Sequence, residues 1–584
     1  MLIFMTMKKG WYYAAVPAIL FATLLCFRHH LYYVEQFQLF IWDREYLLSG
    51  LGAPSGFSAI FSDFLTQFYR FPVAGPLIHA ALLTLVTALT AAVVKKVCGN
   101  DSFLILSLLP AAFALADILD TDFRHSGLIA MILMLTALLL IENIKHGKKR
   151  FIVSIMAVAA VFWLAGSYSS ILALALLVCE TRNGLKASAK YLLPLLMVPV
   201  LAWGCDSAGL VPSFKGILLP CNYFPFLADI PVIHWLSWIS VPLTILVARL
   251  VPEDLKGKSG TVSMVLQGCT VLAAAVLALT GMDRGRYVFE AADTMARNKD
   301  WDKILKLYKN NPDSRSVALM KLVNLALAEK GGLGEDLFEY SQSGSECVIP
   351  SQELDMVSTG VGSELYWSMG LPGLSQRMAF EQDMYAFGIH NPRALQRLVR
   401  TNLVYGEYAV AEKYISLLEK SPAYRHWAKK QRLLLGDDAA MADEELADLR
   451  RCLPDTTSLG EIDGLEMDLR MVAKTNPAHR QAIQYLEALF LLDKDMGSTM
   501  AMVEEFYGTE VLPKLPKPLQ EAVAIVADSN GMNWQMTKYS VSNEVRKNYR
   551  KFNAVLQKGS GQSGFEDTFW YYAFFINTDG NENQ

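Results

Sequence analysis

Apolar residues run together in long stretches through the first half of the chain, whereas the second half mixes apolar and polar positions with a helical period. A membrane core about 30 Å thick takes about 20 apolar residues in a helix. The stretches therefore predict an all-α fold: a transmembrane bundle of about nine spans, followed by a helical domain without spans. The predicted spans lie near residues 11–27, 73–94, 102–118, 125–141, 151–166, 168–179, 191–205, 232–251 and 261–281.

The fifth and sixth stretches adjoin, and GSYSS at 166–170 separates them. Basic residues flank the pair on both sides, in KHGKKR before it and in ETRNGLKASAK after it. Since basic residues mark the cytoplasmic side of a span, a segment that is basic at both ends must enter the membrane and return. We predict two short helices or a re-entrant hairpin here.

The second half of the chain carries a different pattern, with helical pairs from about residue 283 onward. The clearest pair, residues 398–422, has a turn at Gly406 and Tyr408 and then apolar residues at helical spacing. This pair resembles the tetratricopeptide arrangement of two packed helices. It predicts a tetratricopeptide-like helical-repeat domain over residues 283–558, whose surface would suit a protein partner.

Residues 559–584 form a third predicted segment. They begin with GSGQSG, which is typical of a flexible linker, and continue with the aromatic run FEDTFWYYAFFIN. Two interpretations of the aromatic run stay open: a helix that caps the repeat domain, or a segment that returns to the membrane surface. The transmembrane domain is predicted over residues 1–282, with outer loops at 28–72, 119–124 and 206–231.

Composition supports this division. Of the 584 residues, 53% are hydrophobic and 19% are charged, which is too apolar for an average soluble protein and too charged for a pure membrane bundle. Residues 1–282 carry 19 Lys and Arg against 14 Asp and Glu, whereas the remainder carries 34 against 43. The acidic second part argues against nucleic acid as a partner.

The basic residues of the first part are distributed unevenly between the two sides of the predicted bundle. Fourteen lie in segments predicted to be cytoplasmic, and five lie on the opposite side: Arg28, Arg44, Arg70, Arg124 and Lys215. This asymmetry predicts a multi-pass protein of the cytoplasmic (inner) membrane with its N-terminus in the cytoplasm. With nine crossings, the C-terminal domain is extracytoplasmic or periplasmic.

The eight cysteines include no CxxC pair and no spacing typical of a metal site. Six lie in the apolar half, where a free cysteine behaves as a small hydrophobe. Cys347 and Cys452 lie in the second half, and whether they pair in an oxidising compartment stays open. No GxxxxGK[ST], HExxH or GxSxG motif is present, so neither a nucleotide-binding loop nor a familiar hydrolase site is visible.

Two polar segments beside the predicted spans carry candidate chemistry. The first is EQFQLFIWDREYLLSG, residues 35–50. As one helix it would separate an apolar side from a polar side that includes Glu35 and Glu45. This predicts an amphipathic helix in the membrane interface, and the two glutamates could simply be its solvated face. The apolar side would consist of Phe37, Phe40, Ile41, Leu47 and Leu48.

The second segment is LADILDTDFRHSG, residues 115–127, in which Asp117, Asp120 and Asp122 crowd together. A carboxylate at the end of a span is costly unless it is wet or paired. Asp122 could cap the next span, and Asp120 could pair with Arg124. A functional role for Asp120 and Asp122 is the alternative.

The order of these parts resembles a known enzyme class. The run EQFQLF, followed by FYRFPVAGPLIHAALL at 68–83 at the start of the second span, is similar to the first outer loop of GT-C glycosyltransferases. More narrowly, residues 30–95 resemble an uncharacterised family of Bacteroidota integral membrane proteins. GT-C enzymes use polyprenyl-phosphate-linked sugars on the outer face, and some carry a C-terminal tetratricopeptide domain.

The resemblance implies transfer of a sugar from a polyprenyl-phosphate donor to an envelope acceptor. Glu35 would be the catalytic base, although the common form is Asp or Asp-Glu and Gln36 follows here. Asp120 or Asp122 would match the second acidic site, without the proline often found nearby.

Arg44, Arg70 and Arg124 would meet the lipid phosphate. The resemblance leaves room for a divalent cation, but no set of ligands identifies one.

Two other functions stay open, so enzymatic activity is a hypothesis rather than a conclusion. The chain could be a non-enzymatic envelope scaffold that binds proteins through its repeats. It could also transport or flip lipid-linked precursors. Charges buried in the middle of the spans would favour transport, and the predicted spans contain almost none there.

Overall fold

The computed structural model describes residues 9–99, 104–250, 260–314, 316–454, 462–531, 538–558 and 564–576. These residues form helices and connecting turns, and they contain no β-strand. One isolated bridge joins Tyr507 and Leu512. The all-helical prediction is confirmed for this part of the chain.

The chain divides into two compact units between Asp283 and Arg284. Unit 1 is Met1–Asp283 together with two short later segments, Phe387–Ile389 and Lys420–Ala423. Unit 2 contains the rest of the chain. The change of composition near residue 282 lies beside this boundary.

Unit 1 is a bundle in which apolar helices pack around one buried core. Its helices are α1 (Lys9–Cys26), α2 (Arg28–Glu35), α3 (Arg44–Leu51), α4 (Gly56–Thr66), α5 (Ala74–Cys98), α6 (Leu109–Ile118), α7 (Ser126–Glu142), α8 (Gly147–Ala165), α9 (Tyr168–Glu180), α10 (Leu185–Ala189), α11 (Leu192–Ser207), α12 (Phe214–Leu218), α13 (Val232–Leu250) and α14 (Gly260–Thr280). The helix α7 packs against α5 and α8, and α6 packs against α13 and α14.

Three described helical segments are long and apolar enough to cross a membrane: Ala74–Cys98, Lys186–Ser207 and Val232–Leu250. The number rises to five if each of two bent helix pairs is one span. By helix length and composition, the structure therefore has fewer candidate spans among its described residues than the nine that were predicted. The shortfall has physical causes: α8 begins with basic residues, and α9, with 13 residues, is only about 20 Å long.

The helix α11 has one buried face and one exposed apolar face. Val198 and Ala202 are fully buried, whereas Leu196, Val200 and Trp203 are 64–66% exposed. Large apolar side chains exposed along a helix are unusual for a surface that faces water. This face of α11 suits contact with lipid.

The prediction of one interfacial helix over residues 35–50 is wrong. The helix α2 ends at Glu35 and α3 begins at Arg44, where the Asp43 carboxylate caps it by accepting from the amides of Glu45 and Tyr46. The segment between them is non-helical, and its residues Phe37, Leu39 and Phe40 are buried in unit 1. Backbone hydrogen bonds to the later segments of unit 1 replace helical ones.

Two of these bonds are well formed. The Phe387 amide donates to the Phe37 carbonyl at 2.7 Å, and the Trp42 amide donates to the Lys420 carbonyl at 2.9 Å. Glycine then allows the next two helices to cross: a Cβ on Gly56 would lie 1.7 Å from the Gly50 carbonyl oxygen.

An ion-pair network closes one end of the bundle, which we call the basic end. The Arg150 side chain at the start of α8 contacts Glu142 and lies 2.6 Å from Glu180. Arg182 lies 2.9 Å from the same Glu142. The network joins α7, α8 and α9 where their side chains are buried.

Unit 2 consists of short helices that pack mainly against their neighbours in sequence. They are α15 (Arg284–Arg297), α16 (Trp301–Lys309), α17 (Val317–Glu329), α18 (Leu333–Asp336), α19 (Ser358–Ser368), α20 (Pro372–Asp383), α21 (Pro392–Tyr405), α22 (Tyr408–Glu419), α23 (Arg425–Arg432), α24 (Asp437–Met441), α25 (Glu444–Arg451), α26 (Ile462–Thr475), α27 (Arg480–Leu492), α28 (Met496–Phe506), α29 (Lys517–Ser529), α30 (Asn543–Lys558) and α31 (Phe569–Phe575).

The predicted pair at 398–422 falls on α21 and α22. Gly406 ends α21 in the left-handed conformation, with φ of 74°, and its amide donates back to Asn402 and Leu403. This is the role that glycine commonly has after a helix. Helix pairs of this kind do not by themselves identify tetratricopeptide repeats.

The aromatic run near the C-terminus packs inside unit 2. Phe569, Trp570 and Tyr572 on α31 are buried, and the Tyr572 hydroxyl donates to the Leu492 carbonyl at 2.7 Å. Of the two interpretations of this run, the structure favours the one in which it packs on the helical domain. Residues 559–563 of the predicted linker lie outside the described residues.

All eight cysteines are free, so Cys347 and Cys452 do not form a disulfide. Both are buried, and each has a polar neighbour of its own. The Cys347 sulfur lies 3.2 Å from the Ser343 hydroxyl. The Cys452 sulfur accepts from the Asn476 amide at 3.4 Å.

Glu521 on α29 gives unit 2 a pH-dependent stability. One carboxyl oxygen accepts from the Phe569 amide at 2.7 Å, and the other has no partner among the described residues. Burial raises the pKa of Glu521 from 4.5 to about 8. The folded state favours the protonated acid. The contribution of Glu521 to the unfolding free energy is therefore fully present below about pH 4.5 and is lost as the pH rises through about 8.

We therefore expect the apparent melting temperature of the purified protein to fall between about pH 5 and pH 8. Each such acid contributes up to about 1.4 kcal/mol of unfolding free energy per pH unit. Glu521→Gln should reduce this slope, because an amide does not titrate. Glu487, whose pKa burial also raises to about 8, accounts for a remaining slope. Glu504→Gln, on an exposed position of α28, is the control, and an unchanged slope in Glu521→Gln would contradict the assignment.

Candidate functional site

The end of unit 1 opposite the basic end carries a histidine between two carboxylates. His234, in the first turn of α13, lies with Nδ1 2.7 Å from Asp117 and with Nε2 3.0 Å from Asp120. Ser237, one turn along the same helix, donates its hydroxyl proton to the second oxygen of Asp117 at 2.5 Å. When both ring nitrogens carry protons, His234 donates to both carboxylates and its positive charge is flanked by two negative charges.

A third acidic residue lies beside the loop that carries Asp120. Asp63 on α4 is buried, and its Oδ2 atom lies 3.6 Å from the Arg124 guanidinium. The Tyr46 hydroxyl donates to the same oxygen at 3.0 Å. Burial raises the pKa of Asp63, although Arg124 and the Tyr46 hydrogen bond oppose that shift.

Three buried histidines continue the polar region. His79 and His125 lie 3.2 Å apart through ring nitrogens, and His125 is 3.2 Å from the Tyr69 hydroxyl. His30 lies 2.9 Å from the Ile118 carbonyl, at the end of the helix that carries Asp117. We call these histidines, together with Asp63, Asp117, Asp120, Arg124 and His234, the polar cluster.

Several buried atoms of the polar cluster and its surroundings have no hydrogen-bond partner among the described residues. Native interiors leave few buried polar atoms unsatisfied, and those that remain usually bind ordered water or a ligand. These atoms are therefore positioned where ordered water or a polar ligand can bind. The atoms are Gln38 Nε2, Asp63 Oδ1, His79 Nδ1, Arg124 Nε and His125 Nε2.

Of the residues predicted from the sequence, Asp120 and Arg124 lie in this cluster. Each side chain is 19% exposed, so each reaches the surface of the region. Arg124 pairs with Asp63 rather than with Asp120. Asp122 is half-buried, and it does not cap α7, since His125 occupies the position before that helix.

The other predicted residues are placed elsewhere or differently. Glu35 is fully buried at the end of α2, so the interpretation of it as part of a solvated helix face does not hold. Arg44 is exposed on α3. Arg70 donates to the Ala423 carbonyl at 2.8 Å, which occupies part of its guanidinium.

Asp63, His79 and His234 were missed as site residues by sequence reasoning. Asp117 ends α6 and His234 begins α13, and both are buried. The available signal was weak: a polar residue within one turn of the end of an apolar stretch. Nothing local indicates that these two stretches meet.

These features indicate a class of protein: all-helical, with candidate membrane-spanning helices and a buried carboxylate–imidazole site at one end of its bundle. The chain belongs to a family of unknown function, DUF6057, whose family model matches residues 4–576. No curated protein and no solved structure matches the chain significantly.

Proposed function

We propose that the chain is a GT-C-like membrane glycosyltransferase, which moves a sugar from a polyprenyl-phosphate donor to an envelope acceptor on the outer face of the cytoplasmic membrane. The observation that carries this proposal is the arrangement of Asp117, His234 and Asp120 beside Arg124. In this arrangement the Asp120 carboxylate is partly exposed, His234 orients it, and the Arg124 guanidinium provides a cation at the surface of the buried polar region. Transfer to a hydroxyl group from a phosphate leaving group needs these three parts.

Asp120 is the proposed base in place of Glu35, because Glu35 is fully buried and Asp120 is not. Asp120 takes the proton of the acceptor hydroxyl, and the hydroxyl oxygen forms a bond to the sugar C1 atom. The bond from C1 to the phosphate oxygen breaks on the opposite face, and its electron pair leaves with polyprenyl phosphate. The configuration at C1 is inverted.

The neighbouring residues have supporting roles in this proposal. His234 positions the Asp120 carboxylate, and Asp117 holds the His234 ring from its other side. Arg124 stabilises the negative charge that develops on the leaving phosphate, as a guanidinium does well. A divalent cation could share that task, since the region is rich in carboxylates.

The finer topology is part of the same proposal. A cytoplasmic N-terminus would put the basic end of the bundle in the cytoplasm, as the distribution of basic residues favours. The polar cluster, at the opposite end, would then face the side where lipid-linked sugars are used. The C-terminal domain would be extracytoplasmic, with tetratricopeptide-like repeats that present a surface to an envelope partner.

The positions of the charged residues favour an enzyme over a transporter. In the described apolar helices, acidic, basic and histidine side chains lie close to the helix ends and not at their centres. A transport path would need polar groups at mid-depth.

The proposal is tested with the full chain reconstituted in proteoliposomes. Radiolabelled undecaprenyl-phosphate hexoses are supplied as donors, together with an envelope glycolipid extract as acceptor. We expect label to move to the acceptor and undecaprenyl phosphate to be released in equal amount. Donors left intact, with the protein folded and oriented, would reject the enzyme and favour the scaffold.

A further inference from the structure

Unit 2 brings together three side chains that are common metal ligands. Asp448 lies in the last turn of α25, and Cys452 follows directly after that helix. His479 precedes α27. An Asp448 oxygen, the Cys452 sulfur and a ring nitrogen of His479 all lie within 4.8 Å of one another.

The atoms around these three side chains orient them toward one point. The His479 Nε2 atom lies 2.9 Å from the Ser368 carbonyl, which leaves Nδ1 directed at Asp448. The Asn476 amide donates to Asp448 Oδ1 at 2.8 Å and to the Cys452 sulfur at 3.4 Å. In metal centres the second nitrogen of a ligating histidine usually donates to a carbonyl or carboxylate, and ligating oxygens accept further hydrogen bonds.

A glycine packs closely against the His479 ring. Gly370 has a φ of 80°, and a Cβ there would lie 3.0 Å from two atoms of the His479 ring. Cys452 and His479 are buried, whereas the Asp448 side chain is 30% exposed. The three ligand atoms therefore converge inside unit 2, with access to solvent past Asp448.

We propose that Asp448, Cys452 and His479 bind a zinc ion, with a water molecule as the fourth ligand. A tetrahedral zinc ion with these ligand types needs separations of about 3.3–3.6 Å between ligand atoms, which small side-chain shifts supply. The mixture of sulfur, imidazole and carboxylate suits zinc better than magnesium or calcium, which prefer oxygen alone. Binding releases the His479 Nδ1 proton and the Cys452 thiol proton to solvent.

The ion would replace one hydrogen bond and keep the others. Without metal, Nδ1 of His479 and Oδ2 of Asp448 lie 2.7 Å apart in a hydrogen bond. With metal, both atoms turn to the ion, while His479 Nε2 still donates to the Ser368 carbonyl and Asn476 still donates to Asp448 and Cys452. The site would tie the end of α25 to the start of α27 and to the last residue of α19, which makes it a structural clamp of the helical domain.

The test uses the full chain, purified in detergent without a polyhistidine tag, stripped with a chelator and then given Zn²⁺ or Co²⁺ alone. We expect about one equivalent of metal per chain and, with Co²⁺, a near-ultraviolet charge-transfer band from the thiolate. Zn²⁺ should also raise the melting temperature, because it binds the folded state. No charge-transfer band in the wild-type protein would overturn the proposal.

Variants locate the site. Cys452→Ser should remove the charge-transfer band. His479→Gln should weaken Zn²⁺ binding at least tenfold, because even the loss of a hydrogen-bond partner of a ligand typically costs about 10–100-fold. Cys347→Ser is the matched control, since Cys347 is also a buried free cysteine of unit 2. Circular dichroism confirms folding of each variant. A band that survives in Cys452→Ser, or that disappears in Cys347→Ser, would also overturn the proposal.

Discussion

Asp120→Asn is expected to slow sugar transfer by a factor of about 10²–10⁴, the usual effect of losing a general base. The amide keeps the size of the side chain but does not accept a proton from the acceptor hydroxyl. It still accepts a hydrogen bond, so the turn in which Asp120 accepts from the Asp122 amide at 2.9 Å should remain. The amide NH2 group replaces the oxygen that faces His234 Nε2 in the wild type, so circular dichroism and the melting temperature are measured beside the rate.

The measurement is the rate of donor consumption at matched protein levels, in proteoliposomes and in cells. Glu45→Gln is the control: Glu45 is exposed on α3, and surface changes of this kind usually stay within about 0.5 kcal/mol. Wild-type turnover in Asp120→Asn would exclude Asp120 as the base. If Glu35→Gln abolished turnover instead, the base would be Glu35, which the resemblance to GT-C enzymes first implied.

The two halves of the candidate site differ in how far they could be predicted. Asp120 and Arg124 were found because three carboxylates and an arginine stand close together at the end of an apolar stretch. His234 lies 117 residues after Asp117, on another helix. Only the packing of α6 against α13 brings the two together, and no local pattern encodes that contact.

The loop at 36–43 shows the same limit in the fold. Its apolar residues fit a helical period, yet the backbone bonds to segments more than 300 residues later in the chain. Tertiary contacts override local propensity in such a case. One local signal was available: Asp43, two residues before Glu45, is a typical residue to cap a helix that starts at Arg44.

The positions of the helices were easier to predict than which of them are long enough to span the membrane. Apolar stretches near 73–94 and 232–251 correspond to α5 and α13, which are long and apolar enough to cross a membrane. The stretches near 151–166 and 168–179 correspond to α8 and α9, which are separate helices. Hydropathy therefore locates apolar helices well. It does not show which of them span the membrane, because buried ion pairs at a helix end shorten the apolar part that lipid can surround.

Arg150→Ala is expected to destabilise the bundle by about 3–5 kcal/mol, the usual cost of removing one partner of a buried ion pair. The Arg150 side chain is 6% exposed, and those of Glu142 and Glu180 are 1% and 3% exposed. The substitution leaves Glu180 without its guanidinium and leaves Glu142 with Arg182 alone. Since a buried carboxylate without a cation is costly, helices α7, α8 and α9 should separate at a lower temperature.

The experiment compares apparent melting temperatures in detergent, with Lys148→Ala as the control, because Lys148 is an exposed residue in the same helical turn. The triple variant Arg150→Met, Glu142→Gln and Glu180→Gln should recover much of the lost stability, because it removes the buried charges together and keeps the side-chain volumes similar. A melting temperature of Arg150→Ala equal to that of Lys148→Ala would mean that the network is hydrated and contributes little. Arg150→Met alone separates the two causes of a loss. It should recover the stability if lost side-chain volume is the cause, whereas stranded carboxylates require Glu142 and Glu180 to change as well.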